Sequence, residues 1–135
     1  MMALTPLRSE EMSEKMKYFL DTYALIEIAE GNPTYQKYLD SDSITLKDNL
    51  AELYYFLLKK YDDKTADIFL DNFSRIAAEF PISIIAKAMV FRHKHTNTRF
   101  SYIDCLGYNY ALENKRLFLT GDRAFTDMED VELVR

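Results

Sequence analysis

The chain has one cysteine, Cys105, two histidines and no tryptophan. A lone cysteine excludes an intrachain disulfide and a Cys-rich zinc site, and it suits a reducing, intracellular setting. Glycine and proline are scarce, three of each, which argues against a loop-rich all-β fold and for long helices. No apolar run approaches the roughly 18 residues that a membrane span needs, and the N-terminus lacks the apolar stretch of a signal peptide. Basic residues are outnumbered 17 to 22, for a net charge of −5. Bulk charge therefore does not hold the chain on nucleic acid, although a local basic patch still can.

Apolar residues make up 48% of the 135, including ten Tyr and nine Phe. That suffices for one domain with one proper core. Residues 1–15 are mostly polar and read as a flexible extension, which leaves residues 16–135 as the domain.

Within the domain, Tyr18-Phe19-Leu20 is a short apolar run ending at an acid and reads as a buried strand. Ala24 to Glu30 has a helical pattern, broken by Gly31-Asn32-Pro33. A short helix over Thr34 to Leu39 and a β-branched strand over Ser43 to Leu46 follow. From Asn49, the spacing of Leu50, Leu53, Tyr54, Leu57, Leu58 and Tyr61 predicts one buried helical face. Helices are expected over Thr65 to Phe73, Ser83 to His95 and Ser101 to Asn114, and strands over Ile76 to Phe80, Leu117 to Thr120 and Val131 to Val134. This alternation implies a three-layer α/β/α sandwich around a mainly parallel sheet of about five strands. In such sheets functional groups collect beyond the carboxyl ends of the strands.

Four carboxylates sit at element boundaries: Asp21, Glu52, Asp104 and Asp122. Each has a structural reading beside a functional one. Asp21 suits the N-cap of the helix that follows it. Glu52 completes Asn49-x-x-Glu52, a capping-box pattern, and on a helical wheel it lies opposite the leucine stripe, toward solvent. Asp104 completes Ser101-x-x-Asp104 in the same way, but among apolar neighbours a charge there needs a cation or hydrogen-bond donors. Asp122 suits a turn after a strand. Asp127, Glu129 and Asp130 read as solvated loop charges. Gathered at one sheet end, the four would repel one another, by roughly 4 kcal/mol for a pair 4 Å apart at an effective dielectric near 20. A cation offsets that repulsion, and an oxygen-only donor set selects Mg²⁺ or Mn²⁺ over Zn²⁺. His93 and His95 do not share a helix face and are discounted as ligands.

At these acids the sequence resembles the PIN-domain nuclease family, most closely its small VapC-type ribonuclease toxins, over residues 16–135. Tyr18-Phe19-Leu20-Asp21-Thr22 is similar to the family's opening strand and first acid. Asn49-Leu50-Ala51-Glu52 and Phe100-Ser101-Tyr102-Ile103-Asp104-Cys105 are similar to the helix starts bearing the second and third. Leu119-Thr120-Gly121-Asp122-Arg123-Ala124-Phe125 is similar to the closing strand, its turn and the Phe that follows.

The resemblance implies a metal-dependent endoribonuclease in which Asp21, Glu52, Asp104 and Asp122 hold one or two Mg²⁺ or Mn²⁺ ions. It also implies that Thr22, Ser101 and Thr120 orient those carboxylates. An acidic pocket needs basic flanks to receive RNA, and Arg92, Lys94, Arg99 and Arg123 are the candidates, with Lys87, Lys115 and Arg116 beside them. For the stretch ending at His95, a solvated helix end whose cations suit the dipole is an equal reading. A homodimer, a small antitoxin partner and a cytoplasmic setting are further expectations.

One departure stands out. Many members carry another acid where this chain has Ala124, with Asp127 as a possible substitute, so a non-catalytic PIN-like binding module with a weakened metal site is the alternative. A phosphoacceptor receiver fits poorly, because Thr22 follows Asp21 and Arg123 follows Asp122. A hydrolase with an Asp-x-Asp nucleophile motif fails because Tyr23 holds the second place.

Overall fold

The computed structural model describes residues 16–40 and 42–135. The extension expected over residues 1–15 lies outside them. Strand β1 (Tyr18–Leu20) leads through Asp21 into helix α1 (Thr22–Ala29). Gly31 then takes a φ of +83°, where an L side chain is strained, and turns the chain toward α2 (Pro33–Gln36). Asn32 caps α2 by accepting the Thr34 N–H at 3.0 Å, with Pro33 at the first helical position.

Strand β2 (Thr45–Leu46) runs directly into α3 (Lys47–Lys60). Asp48 in the first turn and Lys59 and Lys60 in the last complement the dipole of α3. Helix α4 (Asp63–Ser74) is capped by Asp62, which accepts from Thr65 N–H at 2.7 Å. Strand β3 (Ala77–Ala78), helices α5 (Ile82–Lys94) and α6 (Tyr102–Glu113), strand β4 (Leu117–Thr120), a 3₁₀ turn (Arg123–Phe125) and strand β5 (Val131–Leu133) complete the chain.

The strands lie in the order β3-β2-β1-β4-β5, and every junction is parallel. The β1–β2 junction is thin: one bridge between Phe19 and Ile44, with Leu20 N–H donating to Ile44 O at 2.8 Å. The period-two alternation of side chains divides the core. Leu20 and Leu119, paired in register, face α1 to α4 and pack with Leu25, Leu50, Leu53 and Leu57. Phe19 and Phe118, also paired, face α5 and α6 and pack with Ala88, Tyr108, Ala111 and Phe125. Helix α6 comes close to the sheet at Gly107, where an added Cβ would lie 3.1 Å from the Phe19 ring. The result is the three-layer sandwich that the alternation of elements implies.

Two expectations about elements are corrected. The strand expected over Ile76 to Phe80 shrinks to Ala77–Ala78, because this edge strand has one neighbour and Pro81 follows. Helix α3 begins at Lys47 with Leu46 at its N-cap, so Asn49 and Glu52 form no capping box. Asn49 is the third residue of α3 and is fully buried.

A candidate active site of carboxylates

Asp21 and Asp122 follow the carboxyl ends of β1 and β4, neighbours at the centre of the sheet. Asp21 occupies the N-cap position of α1, yet its side chain makes no capping hydrogen bond. Instead Thr120 Oγ1 donates to Asp21 Oδ2 at 2.7 Å, across 99 residues of sequence. The same hydroxyl oxygen accepts the Asp122 N–H at 3.0 Å, so one side chain ties the first acid to the backbone of the fourth. Gly121 makes the approach possible: a Cβ there would sit 2.3 Å from a Tyr23 ring carbon and 2.7 Å from the Val134 carbonyl oxygen. Asp122 Oδ1 accepts from Ala124 N–H at 2.9 Å and opens the 3₁₀ turn.

Glu52 comes from the second turn of α3 and is half-buried rather than turned to solvent. The start of α1 lies against it, and Thr22 Oγ1 donates to Glu52 Oε1 at 2.5 Å. Asn49 Nδ2 in turn donates to Thr22 Oγ1 at 3.0 Å. Asp104 completes a true capping box on α6: Ser101 Oγ accepts from Asp104 N–H at 3.0 Å, and Asp104 Oδ2 accepts from Ser101 N–H at 2.8 Å.

These acids share one field. The Asp21 carboxyl is pushed up to about 7, first by burial and then by the charge of Asp104, with Glu52 adding to it and the Thr120 hydroxyl opposing. Burial raises Glu52 as well, and Asp104 adds to the rise against the Thr22 hydrogen bond. Burial raises Asp104 against the Ser101 hydrogen bonds, with Asp122 contributing repulsion. As the side chains stand, no three His, Cys, Asp or Glu groups among the described residues are gathered closely enough to chelate one ion. Each carboxylate is turned to its own local donor. The donor chemistry nonetheless fits a hard divalent cation: oxygen only, partly buried, mutually repelling and held at one sheet end.

Of the basic candidates, Arg92 lies over the Tyr102 ring, 4.2 Å from its centroid, on the first turn of α6 two residues before Asp104. Arg99 and Arg123 are exposed on the loops that lead into α6 and out of Asp122. Lys94 lines a groove of about 760 Å³ between α5, α6 and residues 127–129, and Asp127 lines it too. Lys87 is engaged in an ion pair with Glu113. Lys115 and Arg116 precede β4, at the opposite end of the sheet from the acids, because all the strands run the same way. Arg116 donates there to the Asp42 and Tyr18 carbonyls, and Lys115 turns the chain at a φ of +55°. Ala124 packs against the second core cluster, beside Phe125.

Residues 18–131 match the family model of the PIN domain. The chain belongs to the PIN domain family. No curated protein matches the sequence. Among solved structures, this PIN domain is similar to Mycobacterium tuberculosis VapC20, described as a sarcin-ricin loop cleaving toxin, with a TM-score of 0.72 at 14% identity, covering 86% of this chain and 98% of that one. A toxin–antitoxin complex from Klebsiella pneumoniae gives 0.69 at 13% identity, covering 85% and 95%. VapBC2 from Rickettsia felis, bound to a DNA fragment from its promoter, gives 0.67 at 17% identity, covering 88% and 98%. At these identities the likeness is one of fold. The Asp21, Glu52, Asp104 and Asp122 of this PIN domain come from four segments of the matched region.

Sequence reasoning missed Asn49, which reads as a helix cap but is buried beside Thr22. The β-branched run that ends at Leu46, directly before Lys47, was the available signal, because a strand that passes straight into a helix moves the start of α3 two residues upstream.

Proposed function

We propose that this PIN domain is a Mg²⁺- or Mn²⁺-dependent endoribonuclease that hydrolyses RNA phosphodiester bonds, and that it is the toxin of a toxin–antitoxin pair. The observation that carries the reading is Asp21: a buried carboxylate, fixed by Thr120 between β1 and β4, with Glu52 and Asp104 in its field. Burying that charge is costly without a cation. Asp21, Glu52, Asp104 and Asp122 would hold the ion through their oxygens. Bound there, the divalent ion supplies Lewis acidity at the scissile phosphate and favours ionisation of the attacking water.

The chain's own residues do the rest. Thr120 holds Asp21 Oδ2, leaving Oδ1 for the site. Thr22 does the same for Glu52 Oε1. Ser101 holds Asp104 Oδ2 at the positive end of the α6 dipole, which eases the charge of the cluster. Arg92 on Tyr102, with Arg99 and Arg123, offers cationic and aromatic surface for the RNA backbone and bases. Lys94, on the α5–α6 groove beside Asp127 and Glu129, is a further cation offered to the phosphate backbone.

The reading includes a homodimer, a small antitoxin protein and a cytoplasmic setting. Similarity of fold to a toxin–antitoxin complex and to VapBC2 supports the antitoxin. Exposed Ile82, Ile85 and Val90 on α5, and Tyr55 and Leu58 on α3, supply uncovered apolar surface for partners. No helix among the described residues is long and apolar enough to cross a membrane.

The test is cleavage of a panel of RNAs with Mg²⁺ or Mn²⁺ by the wild type, Asp21→Asn and Asp104→Asn. Metal-dependent cleavage lost in both variants supports the assignment. Cleavage that survives chelation, or that both variants retain, overturns it.

A further inference from the structure

Two side-chain polar atoms among the described residues are buried without a hydrogen-bond partner, Asn49 Oδ1 and Arg92 Nε. Asn49 is the more costly, because its whole side chain is buried. An unpaired buried acceptor destabilises a fold unless the rest of the group has a use. The other half of this carboxamide does: Nδ2 donates to Thr22 Oγ1 at 3.0 Å, and Thr22 Oγ1 donates to Glu52 Oε1 at 2.5 Å.

We propose that Asn49 is a positioning residue for Glu52, acting through the Thr22 hydroxyl. A hydroxyl has one proton and two lone pairs. With Asn49 donating to its oxygen, Thr22 has its proton to spend on Glu52 alone. Turned over, the carboxamide would present Oδ1 to Thr22 and compete with Glu52 for that proton. The orientation with an orphaned Oδ1 is therefore the one that fixes Glu52. It also polarises the Thr22 O–H toward the carboxylate, since donors in series strengthen one another. Asn49 and Glu52 stand three residues apart on α3, one helical step, so both ends of the relay ride on one rigid element while Thr22 reaches in from α1. The relay leaves Glu52 Oε2 without a partner among the described residues' hydrogen bonds, free for the site.

The inference rests on the reading of Glu52 as one of the acids that hold the metal. Its test measures Mn²⁺ binding to the full chain directly, from the electron paramagnetic resonance signal of free Mn²⁺, beside thermal unfolding of the chelated protein. Asn49→Leu keeps the bulk and removes both the donor and the orphaned oxygen. It is expected to unfold no earlier than the wild type, yet to bind Mn²⁺ roughly tenfold more weakly, the low end for losing a partner of a ligand. Thr22→Val weakens binding similarly, Thr22→Ser restores it, and adding Asn49→Leu to Thr22→Val costs nothing further, as residues acting in series require. Asn49→Ala reads the same chain should Leu not fit. Unchanged Mn²⁺ affinity in a folded Asn49 variant, or losses that multiply in the double variant, overturns the relay alone. A wild type that binds no Mn²⁺ overturns the metal reading and the relay with it.

Discussion

Asp21→Asn separates the cost of a buried carboxylate to the fold from its proposed use in binding metal. The Asp21 carboxyl, ordinarily near 3.8, is pushed up to about 7 by burial and by Asp104. A raised acid holds its proton more tightly in the native state than in the unfolded one. Between about pH 4 and pH 7 the native chain binds more protons, so stability falls as pH rises and levels off above pH 7. At pH 8 the accumulated loss is on the order of 4 kcal/mol, a large share of the roughly 5–15 kcal/mol that holds a domain together. Asn has the same shape, and its carbonyl oxygen can accept the Thr120 hydroxyl as Asp21 Oδ2 does. In urea unfolding of the chelated protein, Asp21→Asn is expected to exceed the wild type by about 2–4 kcal/mol at pH 8, and that advantage is expected to shrink by about 2–3 kcal/mol at pH 5. Added Mn²⁺ should stabilise the wild type and not the variant. A variant no more stable than the wild type at pH 8 without metal, or a gap that does not change between pH 5 and pH 8, refutes the reasoning.

Gly121→Ala forces a Cβ to within 2.7 Å of the Val134 carbonyl oxygen, and denaturant unfolding should show a loss of about 1–3 kcal/mol. Ser101→Ala removes the hydroxyl half of the α6 capping box, for a loss of about 0.5–2 kcal/mol in the same assay. Arg92→Ala removes the cation stacked on Tyr102. Binding of a non-cleaved RNA should weaken, and its dependence on log salt should become shallower by about one. An unchanged slope places Arg92 off the RNA path.

Much of this was legible in the chain because local rules and tertiary structure agree. The run Leu117 to Thr120 alternates between the two cores, and Ser101-x-x-Asp104 forms the capping box its spacing implies. Asn49-x-x-Glu52 has the same local form and forms no box, because Leu46 leads into α3 from a paired strand and buries Asn49. A helical wheel sends Glu52 to solvent, since a wheel knows nothing of α1 lying across that face with Thr22. Lys115 and Arg116 look like substrate contacts by charge alone, but strand direction puts them at the far end of the sheet. What the sequence withheld was which residues meet across elements, a matter of packing rather than propensity.

The Thr120–Asp21 hydrogen bond spans nearly the whole domain. Until Thr120 has been synthesised, a growing chain has no neighbour for β1 on the β4 side and no donor for the first acid. The carboxylate site is thus among the last features the chain can assemble during translation. A fragment ending before β4 keeps Asp21, Glu52 and Asp104 in its sequence without the element that fixes the first of them. A product that stops there would lack the donor that fixes Asp21, and with it the metal site proposed for the full chain.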